Sequence, residues 1–161
     1  MSRRVWAMRG QRPLAHHWTR YEWSYVYLFV CPCTGESYFL ILPSVSIALM
    51  TLALEEFMKD INPNDDRVIV LMLDNAAWHS SKKVVLPKNL ILLPLPPYTP
   101  QLSPAETIVP LVREVAANRV FADLDALEDV LCDRCAFLMQ NPELVRGRAG
   151  FGWLDDSILS K

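Results

Sequence analysis

Six consecutive apolar residues, Val68 to Leu73 (VIVLML), end on Asp74 and constrain the fold more than any other stretch. A near-continuous run of this kind, rich in β-branched residues, predicts a strand buried on both faces, the pattern of parallel strands in α/β folds. A second apolar run, Leu90 to Leu95, predicts the next strand. Pro94, Pro96, Pro97, Pro100 and Pro104 then make a stiff, extended connection to Glu106 at the start of a helix. Asp74 and Glu106 are therefore expected on neighbouring elements at one edge of a sheet, where α/β folds place their chemistry.

The rest of the chain supplies partners for these strands. Trp23 to Val30 and Ser37 to Leu42 are rich in aromatic and β-branched residues and flank CPCTGE, which predicts a hairpin with a longer turn. From about Ser46 to Asp60 the spacing predicts a helix, with Leu49, Leu52 and Phe57 on its buried face and Glu55, Glu56 and Lys59 towards solvent. Trp78 to Val85 is expected as a short helix ended by Pro87. Ser103, Pro104 and Glu106 match a capping box with proline at the first helical position. Pro110 is expected to kink that helix or end its first turn. A last helix is expected from Asp123 or Asp125 to about Gln140, closed by Asn141 and Pro142, with an irregular tail after it. The predicted class is mixed α/β, an antiparallel hairpin joined to parallel strands in one domain spanning residues 1–161.

Composition narrows the functions open to such a domain. Hydrophobic residues make up 52% and charged residues 21%, which argues against disorder. A formal net charge of -2 excludes a broadly basic protein, so any nucleic-acid contact must come from a local patch or a further segment. No stretch reaches the ~20 apolar residues of a membrane span. The N-terminus lacks the pattern of a signal peptide, so a cytoplasmic, nucleoid-associated location is expected. The cysteines fall as Cys31-x-Cys33 in the hairpin turn and Cys132-x-x-Cys135 in the last helix. Zinc sites usually pair knuckle-like turns, so reduced thiols are the expectation.

The chemistry rests on few side chains, and each has a bland reading. Asp74 and Asn75 at a strand end suit a hard-metal ligand, or merely a turn. Glu106 suits a metal ligand, or is explained by the capping box. His79 and Lys82 could contact a phosphate, or could lie at the surface without a role. Together they support a metal-dependent phosphoryl-transfer site.

The order of these residues brings in a resemblance. DNAAWHSSK (Asp74–Lys82) followed by LPLPPYTPQLSPAE (Leu93–Glu106) resembles the DDE transposases of bacterial insertion sequences, most nearly the insertion-sequence family numbered six-thirty, kin to the mariner elements. RRVWAMRGQRP, the hairpin, NRVFADLDALEDVL and PELVRG with GFGW are also similar to that family. The resemblance implies a ribonuclease-H-like fold and a triad of two aspartates and a glutamate holding two Mg²⁺ (or Mn²⁺) ions about 4 Å apart, which activate the nucleophile and stabilise the leaving oxygen. Asp74 would be the second aspartate and Glu106 the third acid, with 31 residues between them. It further implies DNA partners (transposon ends and target), with His79, Lys82, Arg4 and Arg9 as candidate contacts, and a homodimer or an association with intact transposase.

The sequence departs from the family in ways that shape the expectation. The family's first aspartate lies on a strand upstream of the segment matched by Arg4 to Trp6, and no aspartate precedes Asp60 here. The chain is therefore expected to be an N-terminally truncated catalytic domain that lacks the first strand and is inactive alone. The alternatives are a split transposase completed by an upstream polypeptide, and a non-catalytic module that inhibits the intact enzyme. That strand is central in the family's sheet, so its loss would leave a gap between the hairpin and the Asp74 strand, unless Arg3 to Met8 fills it. Thr107 and Val109 stand where the family usually has arginine and tryptophan, and Ser103 where it has asparagine.

Overall fold

A computed structural model of the chain describes residues 8–10, 22–74, 84–97, 99 and 102–150. Strands β1 (Tyr25–Val30) and β2 (Ser37–Leu42) pair antiparallel, with Val30 opposite Ser37 and Tyr25 opposite Leu42. Their turn closes through the Cys31 amide donating to the Glu36 carbonyl and the Gly35 amide donating to the Cys31 carbonyl, both at 2.8 Å. Alternation sends Val26, Leu28, Val30, Phe39 and Ile41 to one face and Tyr27, Phe29, Tyr38, Leu40 and Leu42 to the other. Both faces are apolar because both are covered. The hairpin is thus the middle of three layers.

Helix α1 (Ile47–Ile61) covers the second face, capped by Ser46, whose hydroxyl accepts from the Leu49 amide at 3.2 Å. Met50, Ala53, Leu54, Phe57 and Met58 form its buried stripe, and Phe57 stacks on Phe29 at 4.4 Å between ring centroids. Leu52 was expected on that stripe and instead faces solvent, because the stripe starts at Met50 and steps through Ala53, Leu54 and Phe57.

Strands β3 (Ile69–Leu73) and β4 (Leu90–Pro94) pair in parallel, Ile69 opposite Leu90 through Leu73 opposite Pro94. Ile69, Leu71, Leu90 and Leu92 pack towards α1. The opposite face is open: Val70 is 56%, Ile91 52% and Leu93 49% exposed. The run from Val68 therefore forms the expected strand, but one buried on a single face. Only α1 lies against this pair, and no ladder joins it to the hairpin among the described residues. The expected helix over residues 78–85 lies almost wholly outside the described residues, as do residues 3–7 of the conjectured gap-filling segment.

Helix α2 (Pro104–Arg113), α3 (Leu124–Gln140) and α4 (Pro142–Ala149) make the third layer. Ile108, Leu111, Val112, Leu131, Cys135, Leu138, Val145 and Ala149 meet Phe39 in one core. Asp123 caps α3 by accepting from the Ala126 amide at 2.8 Å. Two expectations need correction. Of the two effects expected of Pro110, ending the first turn of α2 does not occur, since the helix continues and the Glu114 amide donates to the Pro110 carbonyl at 3.0 Å. Pro142 does close α3, yet it also opens α4 as the first-turn proline, so residues 142–149 are helical rather than an irregular tail. Burying Val145 and Ala149 is what holds that short helix in place.

Candidate functional site

The two carboxylates follow the parallel pair in the chain, Asp74 at the end of β3 and Glu106 in α2 beyond β4. Asp74 is the residue after β3, and the ladder extends one step beyond β4 through the Leu95 amide, which donates to the Leu73 carbonyl at 2.7 Å. The chain leaving β4 therefore starts level with Asp74. It is braced by the Thr99 hydroxyl donating to the Pro96 carbonyl at 2.6 Å and the Leu102 amide donating to the Thr99 carbonyl at 3.0 Å. Glu106 is the third residue of α2. Both carboxylates thus follow the carboxyl ends of parallel strands, Asp74 directly and Glu106 through the proline-rich connection.

The local chemistry of Glu106 differs from the capping-box expectation. Ser103 occupies the cap position with extended backbone (φ -91°, ψ 110°), but its side chain makes no capping hydrogen bond. The Glu106 amide instead donates to the Ser103 carbonyl at 3.2 Å. The Glu106 side chain is exposed and makes no hydrogen bond or ion pair with another described residue. An acid in the first turn is favoured by the helix dipole, which explains why it is tolerated there and leaves its oxygens available. Asp74 is exposed as well.

Among the described residues no group of three or more His, Cys, Asp or Glu side chains could hold a metal ion. Two exposed carboxylates suit a hard cation that keeps most of its waters, and are too few for a closed cage. His79, Lys82 and Arg4 lie outside the described residues. Arg9 is exposed in the turn at residues 8–10, and no ion pair joins it to Asp74 or Glu106.

A second polar cluster, which the sequence analysis did not single out, sits at the opposite, amino-terminal end of the parallel pair. Asp65 accepts from the Lys88 ammonium and from the Asn89 amide, both at 2.6 Å. The Lys88 bond holds the Asp65 carboxyl below its usual range. Asp65 and Asn89 both have positive φ (53° and 61°), a conformation Asn and Asp tolerate better than most residues. Glu55, Lys59, Asn62, Lys88 and neighbours line an open depression of about 330 Å³ there. The cluster ties the loop before β3 to the loop before β4 and so sets the register that carries Asp74.

Comparison with known proteins adds to this geometry. Residues 1–128 match the sequence profile described as DDE superfamily endonuclease. An uncharacterized protein of Sinorhizobium fredii (strain NBRC 101917 / NGR234), y4pE/y4sA, is 35% identical over 115 residues, covering 71% of this chain and 82% of that protein. The fold resembles the Mos1 transposase paired-end complex with left transposon end (TM-score 0.56, 15% identity, 93% of this chain and 51% of that chain). It also resembles the Mos1 mariner paired end complex with Mn (TM-score 0.59, 17% identity, 92% and 49%). The chain spans about half the length of the Mos1 chains it matches. At these identities the likeness establishes the fold, which is ribonuclease-H-like: hairpin, parallel strands and flanking helices. The profile match spans most of the chain, and the chain belongs to the DDE superfamily endonucleases.

Proposed function

We propose that the chain is a single domain contributing the second aspartate and the third acid, Asp74 and Glu106, to a DNA-transposing active site of the insertion-sequence family numbered six-thirty. The observation that carries this reading is the pair of exposed carboxylates after the carboxyl ends of β3 and β4, one of them in a helical turn where it serves no capping role. The two side chains supply hard oxygen donors suited to Mg²⁺ or Mn²⁺. Divalent ions bound there would supply the positive charge that stabilises the nucleophile and the leaving oxygen of a scissile phosphate. The chain's own part is to hold the two carboxylates at fixed spacing, Asp74 by the β3–β4 ladder and Glu106 by the proline-braced connection. His79, Lys82, Arg4 and Arg9 are assigned to DNA contact, and self-association or association with intact transposase is part of the same reading.

The 161 residues contain no aspartate before Asp60, so the family's first acid has to be supplied by another segment. One observation favours a split enzyme: among the described residues no ladder joins the β3–β4 pair to the hairpin, although α1 packs on both. Co-expression with a segment bearing an aspartate on an extended apolar strand is expected to give Mn²⁺-dependent cleavage of transposon-end DNA. The chain alone is expected to give none. Efficient, end-specific cleavage by the chain alone would overturn this assignment of the acids.

A further inference from the structure

Beyond Arg113 the chain leaves α2 through a series of tight turns before α3 begins. The Ala116 amide donates to the Arg113 carbonyl at 3.2 Å and the Arg119 amide to the Ala116 carbonyl at 3.4 Å. Asn118 sits in the left-handed region (φ 59°), a conformation Asn tolerates better than most residues and one that ends helical runs.

Arg119 emerges from these turns exposed, yet its guanidinium is held in place. One Nη donates to the Val115 carbonyl at 3.1 Å, and the guanidinium carbon lies 5.2 Å from the centre of the Phe121 ring. A guanidinium has several N–H donors, so one bond to Val115 leaves most of them available. No ion pair joins Arg119 to a described acid. Of the acids nearest in the chain, Asp123 caps α3 and Glu114 pairs with Arg134. An exposed arginine ordinarily gives up side-chain freedom when it engages a ligand. Here the fold has already restricted it, which leaves a planar, pre-ordered fork at the surface.

Arg113 adds a second cation to the same run. It is exposed and makes no ion pair with another described residue. It follows Glu106 by two helical turns, so both lie on the exposed stripe of α2 opposite Ile108, Leu111 and Val112, about 10 Å apart along the axis. The helix dipole accounts for a cation in the last turn, but not for Arg119, which lies beyond the helix. With Glu114 paired to Arg134, the surface from residue 113 to residue 119 is cationic in a chain whose formal net charge is -2.

We propose that Arg113 and Arg119 form a binding site for the phosphate backbone of duplex DNA, a track that continues the exposed side of α2 away from Glu106. The inference rests on the reading of the chain as one that acts on DNA. Arg119, ordered by Val115 and Phe121, offers its fork to one phosphate, and Arg113 contacts a second. A strand of duplex DNA advances about 3.4 Å per phosphate, so the stretch from Glu106 to Arg113 covers about three nucleotides. Such contacts position a protein on the duplex without reading its sequence.

The test uses the whole chain and a labelled random-sequence DNA duplex without divalent metal, so it is independent of the roles of Asp74 and Glu106. Fluorescence anisotropy over a salt series gives the affinity and its dependence on salt, and circular dichroism gives Tm. Arg113→Ala and Arg119→Ala are each expected to weaken binding about tenfold and to reduce the slope of log K against log salt by about 0.9. Arg119→Lys keeps the charge and loses the fork, and is expected to keep the slope while weakening binding about threefold. Lys59→Ala, on α1 in the opposite layer, is expected to match the unaltered chain. Unchanged affinity and slope in both arginine-to-alanine variants, while the unaltered chain binds, would overturn the track and leave the DNA reading standing. No binding by the unaltered chain would overturn that reading and the track with it. A lowered Tm with an unchanged slope in Arg119→Ala would make Arg119 a structural residue and overturn its contact. An equal loss in Lys59→Ala would reduce the effect to net charge and overturn the site.

Discussion

Gly35 closes the hairpin turn at φ +80°, and a Cβ built there would stand 2.0 Å from the carbonyl oxygen of Pro142. The turn and the start of α4 are thus in direct contact through the one residue small enough to allow it. Gly35→Ala is expected to destabilise the fold by about 2 kcal/mol or more, combining left-handed strain with a backbone clash. Urea unfolding would measure it, and a change under about 0.5 kcal/mol, typical of an ordinary surface position, would contradict the contact. Two buried groups give the molecule its alkaline limit. Burial, with the Asp60 and Glu56 carboxylates adding to it, pushes the Tyr38 phenol up to about 12. Burial, then Cys132, pushes the Cys135 thiol up to about 11. Both raised values mean that the folded state prefers the neutral form. Their contribution to stability is complete below the unfolded values of 9.0 and 10.0 and is lost as pH rises through about 11 and 12. The urea midpoint is expected to fall between pH 8 and pH 11, and to fall less in Tyr38→Phe. Equal losses in the two proteins would exclude Tyr38 as a cause.

Among the elements, the junction of α2 with α3 depends on one side chain. Arg134 donates to the Leu111 carbonyl at 2.9 Å, pairs with Glu114, and lies 5.1 Å from the centre of the Phe137 ring. It satisfies a carbonyl of the last turn of α2 and places a cation at the negative end of that helix. Arg134→Ala is expected to cost about 2 kcal/mol, since it strips a partly buried carboxylate of its partner as well as removing packing. Loss of under about 0.5 kcal/mol in chemical unfolding would show the pair to be a surface ornament. The elements also show what could be read from the residues. Apolar periodicity and flanking breakers predicted β2 with its observed bounds and α1 to within a residue at each end. The helix α4 was missed because PELVRGRA offers only Val145 and Ala149 to the core, too sparse a pattern to register, and because the proline that ends α3 also starts it. The capping box at Ser103 was overread: its residue types match, but the serine side chain makes no capping bond. Of the two effects expected of Pro110, a kink or an end to the first turn, the second does not occur, because α2 runs on to Arg113.

At the scale of the whole molecule the hairpin is covered on both sides, by α1 and by the α2–α4 layer, while the one helix of the described residues that packs on the β3–β4 pair is α1. That asymmetry was not legible in the sequence, which predicted β3 buried on both faces. Apolar composition reports a strand's suitability for burial, and only the full set of neighbours decides whether burial occurs. The position of the two acids was legible, because strand ends and helix starts are marked by turn residues, capping residues and proline. Among the described residues no helix is long and apolar enough to cross a membrane. Asp74 directly follows β3 and Glu106 lies in the first turn of α2, while the amino-terminal end of the parallel pair is tied together through Asp65, Lys88 and Asn89. The central claim is that these two carboxylates bind a divalent ion together. Mn²⁺ titration of the chain and of Asp74→Asn, Glu106→Gln and the exposed control Asp129→Asn tests it directly. Each of the first two variants is expected to weaken binding about tenfold or more, with Asp129→Asn indistinguishable from the unaltered chain. Equal affinity in all four proteins would contradict the account.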